Sequence, residues 1–244
     1  MNLDVLYEDN HCLAVNKPAG LLSQGGDSGE PSLVEAVTAY LKTRYAKPGN
    51  VYVGLLHRLD RPTSGVVLLA RTSKAAGRLS AQFRAGTISK VYWAIVEGRP
   101  HEAAGEWIDV LEKDSRRNRG GVVPEGSIAG KEARVAFRIM ETWGRYTKLE
   151  LRPATGRSHQ LRIQLASRRL PILGDRKYGA RSRLNALDGG FRIALHARRL
   201  TFMHPTRRES ISVDAPVPGD WPTLSPGRSE PGCDSSKPAA GSGP

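Results

Sequence analysis

Residues 57–65 read HRLDRPTSG and run into the apolar stretch GVVLLAR at 65–71. The run has the length and β-branched content of a strand, and Pro62 and Gly65 mark a turn just before it. Asp60 therefore belongs to a loop or strand end, where a rigid sheet displays functional groups. Further strand candidates flank it: DVLYED (4–9), HCLAVNK (11–17), KVYWAIVEG (90–98), ARVAFRIM (133–140), YTKLELRP (146–153), IALHARRLTF (193–202) and SISVDAP (210–216). Three segments carry helical spacing. They are SLVEAVTAYLKTRY (32–45), SKAAGRLSAQFRAG (73–86), with Ser73 as N-cap and Gly86 just past the end, and SHQLRIQLASRR (158–169). Many strands with few helices, not strictly alternating, predict an α+β domain around a mainly antiparallel sheet with flanking helices.

The chain has 244 residues, and 39% hydrophobic content supplies a real core. Lysine and arginine outnumber aspartate and glutamate 37 to 24, a formal charge of +13, which points to a polyanionic partner. Residues 151–210 hold 14 basic and 3 acidic side chains, so most of that excess lies in one quarter of the chain and reads as a binding face. Cys12 and Cys233 are too few for a disulfide framework or a structural zinc site, so no metal is expected. The start MNLDVLYEDN has no signal-peptide pattern, and no run approaches the ~18 apolar residues of a membrane helix. The expectation is a soluble cytoplasmic protein without membrane contact. Residues 223–244 are dominated by proline, glycine and serine and are read as a disordered tail behind a 1–222 domain. The basic segment KDSRRNRGG (113–121) is read either as a solvated turn or as a nucleic-acid contact.

Three segments carry candidate chemistry. Asp60, between Arg58 and Arg61, is read either as a turn aspartate bonding its own backbone or as a positioned nucleophile whose charged form the arginines favour. In ATGRSHQLRIQLA (154–166) a loop with Gly156 and Ser158 opens a helix whose Arg157 and Arg162 meet anions at its N-terminal end, or the segment is an ordinary basic helix. Leu161, Ile163 and Leu165 do not share one clean face. Tyr92 lies in a strand, where a tyrosine usually packs.

In order, HRLDRPTSG, KVYWAIVEG, TGRSHQLRIQLA, PILGDRKYG and LHARRLTFMHP resemble the successive motifs of the RluA-type pseudouridine synthases. The opening VLYEDNHCLAVNKPAG resembles that family's first strands and its Lys-Pro-x-Gly turn, so the resemblance covers residues 3–221. It implies the pseudouridine synthase fold with a central RNA-binding cleft, and isomerisation of uridine within rRNA or tRNA without cofactor or metal. It makes Asp60 the catalytic residue, gives Tyr92 a base role and a place near the uracil, and pairs Arg162 with the aspartate in a bidentate geometry. Leu161 matches an apolar position against the target base. Arg58, Arg157 and His159 are further substrate-binding candidates, and Arg61 is the candidate for the space vacated by a flipped uridine. Ser158 stands where threonine is common in the family. Many relatives carry an S4-type RNA-binding domain first, whereas here about two residues precede the first strand, so a compact monomer selecting RNA through its catalytic domain, with no obligate protein partner, is expected.

Two other classes compete. A noncatalytic RNA-binding or ribosome-assembly factor would bind RNA without changing it, and has no use for a carboxylate in a basic cleft. A nucleoside glycosidase would pair Asp60 with a second acid, and none is evident in the motifs.

Overall fold

The computed structural model describes residues 3–26, 29–114, 119–184 and 192–222. The strands are β1 (Val5–Glu8), β2 (Cys12–Lys17), β3 (Gly54–Leu55), β4 (Ser64–Ala70), β5 (Ser89–Glu97), β6 (Ala104–Asp114), β7 (Arg119–Val123), β8 (Lys131–Trp143), β9 (Tyr146–Pro153), β10 (Leu195–Met203) and β11 (Ser210–Asp214). The helices are α1 (Leu33–Arg44), α2 (Ser73–Ala85) and α3 (Gln160–Ser167). All eleven strands join one sheet whose main path runs β1-β2-β4-β10-β5-β9-β8-β6-β7, with β3 on β4 and β11 on β10. Of the pairings between these described strands only β4 with β10 is parallel, which bears out the mainly antiparallel α+β expectation.

Why Cys12–Val15 of β2 and Val66–Ala70 of β4 form unbroken apolar runs is visible in what covers them. On one face Leu33, Val37 and Leu41 of α1 pack with Leu13, Val15, Val67 and Leu69. On the other, Ala75 and Leu79 of α2 pack with Cys12, Ala14, Val66 and Leu68. A strand buried on both faces has no solvent side and so shows no alternation. In the second half of the sheet β8 does alternate, with Val135 and Phe137 turned to a core that also holds Leu149, Leu151, Leu161 and Leu165, and Ala133 to a smaller cluster with Leu111 and Ile163.

The helix starts follow local chemistry. Ser32 caps α1 in a reciprocal box with Glu35, an arrangement worth about 1 kcal/mol. For α2 the N-cap is Thr72, whose hydroxyl accepts from the Ala75 N–H, and Ser73 is the first helical residue. Thr72 keeps the extended backbone that lets an N-cap hydroxyl turn back onto the helix. Gly86 ends that helix in the left-handed conformation, as its position predicts.

Strands β3, β6 and β7 have no counterpart among the segments read from sequence as strands. The ends of the basic segment 113–121 pair as β6 and β7, while 115–118, and with them the choice between turn and nucleic-acid contact, lie outside the described residues. The proposed tail, 223–244, and with it Cys233, also lie outside them.

At the middle of the sheet β10 joins its two halves. His196 and Ala197 pair with Ser64 and Gly65 on one side and with Trp93 and Tyr92 on the other. Gly65 has φ +115°, and a Cβ there would sit 2.3 Å from the Ala197 carbonyl oxygen. Only glycine permits so close an approach.

Candidate active site

The loop that enters β4 is fastened on both sides of Asp60. The Ser23 hydroxyl donates to the Leu59 carbonyl at 2.7 Å and accepts from its N–H at 3.1 Å. The Gly20 N–H donates to the Arg61 carbonyl at 2.8 Å. Beneath the loop lies Lys17, fully buried, whose Nζ donates to the carbonyls of Pro18, Leu21 and Arg61 at 2.9, 2.8 and 3.3 Å. Burial lowers its pKa to about 7, against the opposing pull of the Asp60 charge. The turn itself is closed by backbone, Thr63 N–H to Asp60 carbonyl at 3.0 Å. Its carboxylate is thus not used in capping its own turn; it reaches Arg162.

Helix α3 brings Arg162. Residues 160–165 are all buried, which explains why no polar face was legible in this segment. Gln164 ties the helix to the sheet by donating to the Asp109 carboxylate and the Ala133 carbonyl at 2.7 and 3.2 Å. Arg162, 4% exposed, directs Nε and Nη2 to the two oxygens of Asp175 at 2.7 and 2.9 Å, and Nη1 to Asp60 Oδ2 at 3.0 Å. The expected bidentate pairing therefore belongs to Asp175, and Asp60 receives one bond. Asp175 takes the side-on edge, Nε with Nη2, and Asp60 meets Nη1 alone. Burial opposes the charge of Arg162, but the bonds and charges of Asp175 and Asp60 outweigh it and raise its pKa. Asp60 Oδ1 accepts no hydrogen bond among the described residues, and the side chain is 27% exposed.

These groups open onto a cavity of about 690 Å³. Arg58, Arg84, Lys90, Arg157 and Arg162 contribute to its lining, and Asp60 is the sole acidic residue there. Tyr92, His159 and Leu161 line it too. Burial, with the Asp60 charge second, pushes the Tyr92 phenol above its ordinary range, so it is a neutral donor and a poor base in the free protein. Burial lowers the pKa of Lys90, whose Nζ donates to the Thr155 carbonyl at 3.0 Å. Arg61 is not brought to the cavity. Its guanidinium binds Glu30 at 2.8 and 3.1 Å and the Gly20 carbonyl at 3.0 Å. Arg157 is exposed and bonds the Glu132 carbonyl at 2.8 Å, whereas Arg162 is turned wholly to carboxylates rather than to an anion at the helix start.

Sequence reasoning passed over Asp175, which is fully buried and shares the guanidinium with Asp60. An acid therefore does stand near Asp60, but with Arg162 between them it cannot act as a glycosidase's second carboxylate. The signal for it was present: PILGDRKYG places a lone acid beside basic residues, as HRLDR does. Elsewhere, Asp9, Cys12 and His204 bring three metal-type ligands together. Asp9 instead accepts from Tyr7, the His11 and Cys12 N–H groups and His204, and burial raises the Cys12 thiol to about 12. Such a set reads as a clasp between chain segments, not a metal centre.

The family model for RNA pseudouridylate synthase matches residues 11–167. The chain belongs to the RNA pseudouridylate synthase family. It is 35% identical over 225 residues to an uncharacterized RNA pseudouridine synthase of Synechocystis sp., covering 91% of this chain and 68% of that protein. With the ribosomal large subunit pseudouridine synthase D of Xylella fastidiosa it shares 38% over 227 residues, 89% of this chain and 67% of the relative. The chain thus spans about two thirds of these relatives. Among solved structures, human RNA pseudouridylate synthase domain containing 4 superposes with a TM-score of 0.73 at 25% identity, over 88% of this chain and 89% of that one. Human RNA pseudouridylate synthase domain containing 1 gives 0.66 at 27% identity, over 88% and 83%. The enzyme is an RNA pseudouridine synthase with the fold of that family, acting on RNA by intramolecular isomerisation. Among the described residues no helix is long and apolar enough to cross a membrane.

Proposed function

We propose that residues 1–222 form the catalytic unit and isomerise uridines of ribosomal RNA, with Asp60 opening the glycosidic bond. The ribosomal target is supported by relatives described as ribosomal large subunit pseudouridine synthases D and C, from Xylella fastidiosa and Vibrio parahaemolyticus. The observation that carries the chemistry is one carboxylate at a cationic cavity, with Oδ2 held by Arg162 and Oδ1 open. A uridine reaches it only when flipped from its stack. Arg58, Arg157 and Lys90 hold neighbouring phosphates, and Leu161 packs on the base; Arg61, engaged by Glu30, is left out. Oδ1 either attacks C1′ or removes the C2′ hydrogen, and in both routes the C1′–N1 electron pair leaves with the uracil. The ring turns and C5 bonds to C1′, breaking the Oδ1–C1′ bond in the first route or with Asp60 returning its hydrogen to C2′ in the second; the C5 hydrogen then departs and N1 gains one, so the atoms balance. Tyr92, entering as a phenol, relays that proton: its oxygen accepts as its own hydrogen moves on.

The test is pseudouridine mapping of large-subunit rRNA and of tRNA after incubation with the purified protein and with Asp60→Asn. Modification of rRNA by wild type alone is expected. Modification confined to tRNA would overturn the ribosomal target, and activity in the Asp60→Asn variant would overturn the role of Asp60. Binding without modification would leave an RNA-binding or ribosome-assembly factor.

A further inference from the structure

His159 occupies the N-cap position of α3 with a left-handed backbone, φ 55° and ψ 20°, and makes no side-chain cap bond. A capping hydrogen bond is forgone and a disfavoured conformation accepted, so something else must hold the imidazole. Nδ1 lies 2.8 Å from the Tyr178 hydroxyl, and Nε2 lies 3.8 Å from Asp60 Oδ2.

The hydroxyl is fixed from behind. The Gly120 N–H of β7 donates to it at 3.1 Å. Gly120 approaches α3 so closely that a Cβ there would stand 2.6 Å from Ile163 Cδ1. The Tyr178 ring is buried, with Arg162 and Arg119 over it at 4.9 and 5.6 Å. With its oxygen already accepting from Gly120, the phenol has one hydrogen to place, and His159 Nδ1 is the sole acceptor bonded to it among the described residues. Were Nδ1 to donate instead, that buried hydrogen would have no partner.

The geometry points to a relay from the Gly120 N–H through the Tyr178 hydroxyl to His159 Nδ1, which fixes the His159 proton on Nε2, facing Asp60. His159 then turns a donor toward Oδ2 beside Arg162, 3.8 Å away and beyond hydrogen-bond reach in the free protein, leaving Oδ1 as the reacting oxygen; Tyr178 is a positioning residue that acts through it. The contact tightens once substrate fills the cavity, as catalytic hydrogen bonds commonly do. Burial lowers the pKa of the imidazole, Asp60 and Asp175 oppose that, and Arg162 and Lys177 add to it, so the neutral ring is favoured. A neutral ring carries one proton, so its location decides which nitrogen can donate.

The inference rests on the reading that Asp60 reacts with the ribose, and its test separates the two. Nitrogen NMR of the full chain labelled at histidine, with His159→Asn to assign the signal, reads the tautomer without any substrate. Protonated Nε2 in wild type, lost to a mixture in Tyr178→Phe, is expected; protonated Nδ1 in wild type would overturn the relay. Turnover of a large-subunit rRNA transcript by wild type, Tyr178→Phe, His159→Asn and the double variant completes a cycle. Tyr178→Phe should lower kcat about tenfold with KM unchanged, the loss of one hydrogen bond, and should cost nothing further in the His159→Asn background. An equal loss in both backgrounds would overturn the inference. Failure of wild type to modify the transcript would instead count against the proposed function, and the tautomer would still decide the relay.

Discussion

Arg162→Lys keeps the charge and removes the fork. The guanidinium makes three charge-assisted bonds at 2.7, 2.9 and 3.0 Å, two to Asp175 and one to Asp60. A single ammonium cannot reproduce a planar pair to one carboxylate while reaching a second one, so about two of the three are lost. Each is worth about 1.5–3 kcal/mol, so the variant should be less stable by about 3 kcal/mol or more, a large share of the ~5–15 kcal/mol holding a typical domain. The stacking of the cation 4.9 Å over the Tyr178 ring is weakened as well. Turnover should fall by about 10², the usual consequence of displacing a catalytic group by ~1 Å. Arg162→Ala should be worse in stability, because Asp175 is fully buried and would lose its counter-charge. Urea unfolding measures the first effect. Tritium release from RNA carrying 5-tritiated uridine measures the second, since isomerisation breaks the C5–H bond. A lysine variant within ~1 kcal/mol of wild type and within a few fold in turnover would show that the fork is dispensable.

Three further outcomes follow from particular residues. Lys17 has a folded pKa of about 7, below the ~10.4 of an unfolded lysine. Between those values the unfolded chain binds more protons, so this group should make stability rise with pH from about 7 to about 10, by up to ~1.4 kcal/mol per unit, and leave it flat below 7. The stability difference between wild type and Lys17→Met across that window isolates the effect, and a constant difference would refute it. Gly65→Ala should lower stability by about 2–6 kcal/mol from overpacking and a disfavoured φ together, read by thermal unfolding; a near-normal melting temperature would mean that β4 and β10 need no such close approach. RNA affinity should drop steeply between low and moderate salt, as counterion release requires for several phosphate contacts, and a flat titration would remove the cationic cavity as its source.

Much of this architecture was legible because it is local. The run GVVLLAR, the Ser32 cap with Glu35 and the terminal Gly86 each carry their structural reason within a few residues. Strand β6, AGEWIDVLEKD, escaped because apolar Ile108 is exposed while charged Asp109 is half-buried, so its residues follow no clean apolar alternation. Strand β7 opens with Arg-Gly-Gly, which has little strand propensity of its own and owes its state to pairing with β6. The three candidate catalytic residues, Asp60, Tyr92 and Arg162, were named through ordered motifs, and all three line one cavity. What composition and spacing withheld were relations at long range. Asp60 and Arg162 are 102 residues apart, and nothing local reveals that Arg162 divides its donors between two acids. Nor does any sequence pattern show that Arg61, next to Asp60, turns to Glu30.

The place of β10 has a consequence for how the enzyme comes into being. Ser64 and His196, neighbours in the finished sheet, are 132 residues apart in the chain. At ~5–20 residues per second, synthesis separates them by on the order of ten seconds. During that time the Ser64–Gly65 end of β4 waits unpaired, while β3, made earlier, already pairs the Leu69–Ala70 end. An unpaired stretch of a strand otherwise buried along its length is a template for association with other chains. Non-local pairing of this kind also slows folding, because the long loop must close before any contact rewards it. The carboxylate loop and the tyrosine strand lie on opposite sides of the missing strand. A nascent chain that has not yet delivered residues 195–203 therefore has both halves of its chemistry and no way to bring them together.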